Sequence, residues 1–141
     1  MRRSLLPLSM MAVLGCPETP LEAAAPEYVQ VDCDVGKDYV SFVLVKKGEE
    51  NNNWPHKYVV SFQSRGLAVG LPPTAYAPEW SSITRISFAA DPNSMKTGTL
   101  RFRQTIDGRS KWVMVGQVEQ TCWGALVAFI GNNHIVVELQ Q

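Results

Sequence analysis

Three cysteines and two histidines are the residues of this chain whose types could do chemistry near neutral pH. Cys16 lies near the start, Cys33 and Cys122 far apart in the body, and His56 and His134 farther apart still. A metal site needs its ligands grouped, and neither histidine has a neighbouring histidine or cysteine at ligand spacing. Both read as polar surface residues, His56 in a loop beside Pro55 and His134 at a hairpin exit. No Gly-x-Ser-x-Gly, Gly-x-Gly-x-x-Gly or P-loop pattern occurs. Carboxylates are plentiful, but spacing along strands does not mark an acid and base pair. The expectation is therefore a non-enzymatic protein with no cofactor and no metal.

Cys16 ends a segment of a different kind. Arg2 and Arg3 supply positive charge, Ser4 to Leu14 an apolar run broken by Pro7, and Gly15 a small residue. An export signal has this layout, with an apolar run of about 7–15 residues before the cleavage site. The run is shorter than the roughly 20 apolar residues of a membrane span. A second cleavage site follows Ala23-Ala24-Ala25, where Pro26 is a poor fit to the protease. Val13-Leu14-Gly15-Cys16 resembles the lipobox of bacterial lipoproteins, with departures at Val13 and Leu14. The resemblance implies a signal peptide over 1–15 and lipid on Cys16, which would become the N-terminus. Each buried methylene of such a lipid adds about 0.8 kcal/mol of membrane affinity.

Lipid on Cys16 also accounts for an odd cysteine count, because Cys33 and Cys122 then remain as an even pair. In an exported protein they form a disulfide, closing a loop of nearly 90 residues. Chain entropy makes such a closure worth about 4–5 kcal/mol at best. The alternative is two buried free thiols. With the cysteines so assigned, no Cys–His nucleophile is expected. The expected location is the periplasm, lipid-anchored with the outer membrane favoured; plain secretion is the alternative.

At 141 residues the chain holds one domain at most. Residues 16–26 carry Pro17, Pro20 and Pro26 with little apolar bulk, and read as lipid anchor and flexible tether. Residues 27–141 are left for a β-domain. Basic and acidic side chains are equal at 13 each, and loss of Arg2 and Arg3 tips the balance slightly acidic. Such a balance argues against nucleic acid, which requires a basic footprint. The charge is uneven, however. Acidic residues crowd the stretch from Glu18 to Glu50, and basic ones the stretch from Arg85 to Lys111. The simplest reading is two solvated faces that attract weakly.

Period-2 alternation predicts strands over 27–33, 39–47, 57–63, 83–89, 99–106 and 111–121. In the first, Val29, Val31 and Cys33 share one face. Asp107-Gly108 predicts a hairpin turn whose two residues need positive φ. A two-residue turn would set Arg103 opposite Trp112 and Phe102 opposite Val113; a three-residue turn would set Phe102 opposite Met114. Trp123 to Ile130 is apolar on both faces and reads as a central or interface strand. Gly131-Asn132-Asn133 reads as a further hairpin turn before a last strand over 134–139. The expected fold is all-β, an antiparallel sandwich or small barrel of seven to eight strands.

The segment from Ser64 to Ser82 breaks this pattern with Gly66, Gly70, Pro72, Pro73 and Pro78, yet remains apolar. A loop of that length is often functional. Aromatic residues and arginine dominate interface hot spots. The candidate contacts are Leu71, Tyr76 and Trp80 in this loop, then the row Arg101, Arg103 and Trp112, then Trp54 among the asparagines of 51–53. The alternative for the loop is that it caps one end of the sheet. The expected function is binding of another envelope protein, as a periplasmic inhibitor or immunity protein. The alternatives are an assembly component pairing through 123–130, or a barrel that holds sugar or lipid.

Overall fold

The computed structural model describes residues 26–51, 57–70 and 77–141. The signal segment, Cys16, Trp54, His56, Leu71 and Tyr76 lie outside them. Among the described residues, eight strands and one α-helix follow in order: β1 Tyr28–Val35, β2 Tyr39–Lys46, β3 Tyr58–Gln63, β4 Leu67–Gly70, β5 Ile83–Asp91, β6 Ser94–Ile106, β7 Arg109–Glu119, α1 Gln120–Asn132 and β8 Glu138–Gln140. A short 3-10 turn, Trp80–Ser82, leads into β5.

The strands join into a single mixed sheet of order β4-β3-β2-β1-β7-β6-β5-β8. Strands β1 to β4 are one antiparallel meander, and β5 to β7 another. The meanders meet in parallel, with Val29 of β1 opposite Gln117 of β7. Strand β8 adds in parallel along β5. The molecule is thus mostly β, as the alternation predicts, but among the described residues the strands form one mixed sheet with β4 and β8 at its ends, and neither the sandwich nor the closed barrel of the expectation is seen there. Within the expected loop, Leu67 to Gly70 adds a strand to β3.

The segment 123–130 is helix, not strand. Its buried residues are Cys122, Trp123, Leu126, Phe129 and Ile130, a stripe at helical spacing. Trp123 stacks on Phe88 of β5 with centroids 5.3 Å apart and gives its indole N–H to Gln141 Oε1 at 3.0 Å. Gly131-Asn132-Asn133 ends this helix instead of turning a hairpin. The Asn133 and His134 N–H groups return to Phe129 and Gly131 carbonyls, and Ile135 N–H returns to Ile130. His134 takes the positive φ, 54°, that glycine usually supplies after a helix. Of the expected last strand only Glu138 and Leu139 then pair, and the strand runs on to Gln140.

Helix α1 lies against β2, β6 and β7 and closes the core with Phe42, Phe62, Ile86, Phe88, Leu100 and Phe102, all essentially inaccessible. A disulfide between Cys33 and Cys122 ties β1 to the first turn of α1. Gln30 Oε1 accepts the Glu119 N–H at 2.9 Å beside it. A bulge between Gln30 and Asp32 corrects the expected face of β1: Cys33 points to the helix, whereas Val29 lies on the opposite side. The extra residue, Val31, absorbs the change of parity.

Candidate functional site: the outer face of β5, β6 and β7

Strand β6 alternates strictly from Thr97 to Thr105, its even positions buried under α1 and its odd positions half-exposed on the outer face. Asp107 and Gly108 adopt φ of 54° and 78°, so the hairpin closes with two residues. This sets Arg103 opposite Trp112 and Phe102 opposite Val113. The same register brings Met114 opposite Arg101, and a bulge at Val115 then sets Gly116 opposite Leu100. On the other flank, Arg85 lies opposite Arg103, and Ser87 opposite Arg101. Strand β8 completes the rows, with Glu138 beside Arg85 and Gln140 beside Ser87.

Two transverse rows result: Glu138-Arg85-Arg103-Trp112 and Gln140-Ser87-Arg101-Met114. The Arg101 guanidinium lies 4.4 Å from the centroid of the Trp112 ring. Such stacking is worth about 0.5–1 kcal/mol when exposed, and it fixes the plane of the guanidinium. Arg85 Nη2 donates to Glu138 Oε1 at 3.0 Å, while its Nε is buried without a hydrogen-bond partner. Like charges directly opposite each other in a sheet, as Arg85 and Arg103 are, destabilise it. The sheet tolerates this cost in the row where Glu138 supplies one carboxylate.

The structure thus brings Arg101, Arg103 and Trp112 together. It adds Arg85, Met114 and Glu138, which sequence reasoning did not place there. Arg85 belongs to the basic stretch visible in the sequence, but its position depends on a strand pairing that local pattern does not reveal. Two members of the acidic stretch lie away from these arginines. Asp32 and Asp34 lie on the outer side of β1, opposite Val43 and Ser41. Because β1 is level with β7 at Val29 and Gln117, these carboxylates lie toward one end of the sheet and Trp112 toward the other. At about 3.3 Å per residue the separation is on the order of 25 Å. That exceeds the roughly 8 Å screening length at physiological salt, so these two carboxylates do not neutralise the arginines beside Trp112.

Trp80 is placed differently. Its indole N–H donates to the Gln63 carbonyl at 2.7 Å, and its ring lies against Phe62 at 6.1 Å. It anchors to β3 the 3-10 turn that leads into β5. Beside it, residues 63–67, 77–81 and 133–136 line a cleft of about 700 Å³ that opens to solvent. His134 is exposed at its rim, and no group of metal-ligating side chains occurs among the described residues. No helix of the described residues is long and apolar enough to cross a membrane. No protein-family model, curated protein or solved structure matches the chain.

Proposed function

We propose that the chain is an exported, non-enzymatic binding domain that holds another protein on the outer face of β5, β6 and β7. The observation that carries this reading is the convergence of Arg85, Arg101 and Arg103 beside Trp112 and Met114. Arginine and tryptophan lead the residues that dominate protein interfaces, and a stacked guanidinium loses little freedom on binding. The Cys33–Cys122 disulfide supports an oxidising compartment. The lipobox resemblance extends the proposal to a bacterial envelope lipoprotein anchored through Cys16, acting as an inhibitor or immunity protein. The assembly alternative loses its intended surface, since 123–130 is a helix packed in the core.

The test is recovery of a partner from envelope extract with the mature domain and with an Arg101→Glu, Arg103→Glu variant. One protein retained by the first and lost by the second is expected. Retention of nothing, or equal retention by both, removes the reading. Mass spectrometry of the mature N-terminus checks the anchor separately, a diacylated Cys16 being the expected species.

A further inference from the structure

We infer that the arginine rows accept a carboxylate-rich, extended polypeptide segment, with Glu138 as the internal carboxylate that this segment supplements or displaces at Arg85. The inference rests on the proposed binding role of the outer face and names the chemistry of its partner. The first argument is the pairing already present. A carboxylate from the three-residue edge strand β8 engages the row at its Arg85 end, so the geometry accepts this group. Arg103 comes next in the same row and has no carboxylate partner among the described residues.

The second argument is spacing. Arg101 and Arg103 are two residues apart on β6, about 7 Å along the strand. Alternate side chains of an extended segment repeat at the same distance and on one side. Acidic residues at i and i+2 therefore come level with both guanidiniums, and Arg103 can take a carboxylate through paired N–H donors. Trp112 and Met114 lie beside them as apolar ground for the aliphatic parts of the same segment.

The third argument concerns sign. A long polyanion would run from these rows toward Asp91, which is held by Thr97 and Gln117, and on to Asp32 and Asp34. Those carboxylates repel nucleic acid or polyphosphate. A polypeptide carries short acidic stretches and can bear neutral or basic residues over the rest of the face.

The probe is a capped peptide alternating Glu and Thr, titrated calorimetrically into the mature domain, with the Gln–Thr peptide and inorganic polyphosphate as comparisons. Binding of the Glu peptide alone is expected. Arg101→Gln and Arg103→Gln should each weaken it about tenfold, as expected for loss of a charge-assisted hydrogen bond. Arg109→Gln, at the exposed hairpin tip, should leave it unchanged. Glu138→Gln should strengthen it severalfold by releasing Arg85. Absent peptide binding, equal binding of the Gln peptide, tighter binding of polyphosphate, or indifference to both arginine substitutions overturns the inference. If the envelope partner still depends on Arg101 and Arg103 when the peptide fails, only the carboxylate chemistry is lost and the binding role stands. If the partner is also indifferent to them, both fall.

Discussion

One strand separates two environments. On the inner side of β6, Leu100 and Phe102 are wholly inaccessible beneath α1. On the outer side, Arg101 and Arg103 share a half-exposed surface with Trp112. The same backbone ladder carries both, so the pleat alone decides which residues hold the fold and which meet a partner. The two faces should therefore respond to substitution in opposite ways. Phe102→Ala should destabilise by about 3–5 kcal/mol, because the cavity cannot collapse among Ile86, Leu100 and the helix. Arg103→Ala, the adjacent residue, should change stability by less than about 0.5 kcal/mol while reducing partner binding. Urea unfolding of both variants decides the matter, and similar losses would break the contrast.

The inner face also depends on the staple between β1 and α1. Cys122 is 2% exposed and closes a loop spanning 89 residues of sequence. Replacing both partners, Cys33→Ala with Cys122→Ala, should cost about 2–5 kcal/mol. The outer rows lie on β5, β6 and β7, which the disulfide does not join. Residual folded protein should then retain the Arg101–Trp112 contact, measured as the ring-current shift on the arginine side chain. Loss of that shift at equal folded fraction would show that the two faces are not separable.

Much of this division is legible in the sequence, and the failures have physical causes. Strand β6 is readable because Leu100, Phe102 and Ile106 alternate with Arg101, Arg103 and Thr105, despite the buried Gln104, and Asp107-Gly108 announces its turn. Arg101 and Arg103 share a face by those two features alone, and Trp112 joins them once the turn closes with two residues, a register the sequence left open. The helix is harder, because Gly124, Ala125, Val127 and Ala128 blur the helical stripe of Trp123, Leu126 and Phe129. Met114 opposite Arg101 follows from the same two-residue turn, whereas the face of Cys33 is hidden by a bulge in β1. Arg85 and Glu138 are beyond local pattern altogether, since β8 reaches β5 only after α1 has crossed the inner face. The sheet order has the same origin, turning on one parallel junction between the first and seventh strands.

Glycines offer a finer version of the same contrast. Gly116 has φ of 149° and lies where the meanders meet. A Cβ there would stand 2.7 Å from the Tyr28 carbonyl oxygen and 2.8 Å from Leu44 Cδ2. Gly116→Ala should cost about 1–3 kcal/mol through backbone strain and displacement of β1. Gly124 is on the exposed side of α1, with nothing within 4 Å of an added Cβ. Gly124→Ala should instead stabilise by about 0.5–1 kcal/mol, as alanine replaces glycine inside a helix. Opposite shifts of the thermal midpoint are the expected result; two losses would mean that α1 is covered on both sides.

The smallest expected effect lies at the acidic end of the outer face. Tyr39 donates its phenolic hydrogen to Asp34 Oδ2 at 3.2 Å, and its ring occupies space left by Gly36. That hydrogen bond, followed by the negative charge of Asp34, raises the phenol above its ordinary value. A raised folded-state value means that the stabilising contribution is complete below the unfolded tyrosine value of about 10 and disappears as pH climbs through the folded one. Asp34→Asn removes the charge, so Tyr39 should titrate lower in the variant, with little change of stability at neutral pH. Phenolate absorbance across the alkaline range measures the difference between the two proteins. Coincident titrations would mean that Asp34 does not control the phenol. A lowered Tyr39 with unchanged peptide binding at the arginine rows would show that the two ends of this face act independently, as a separation beyond the screening length requires.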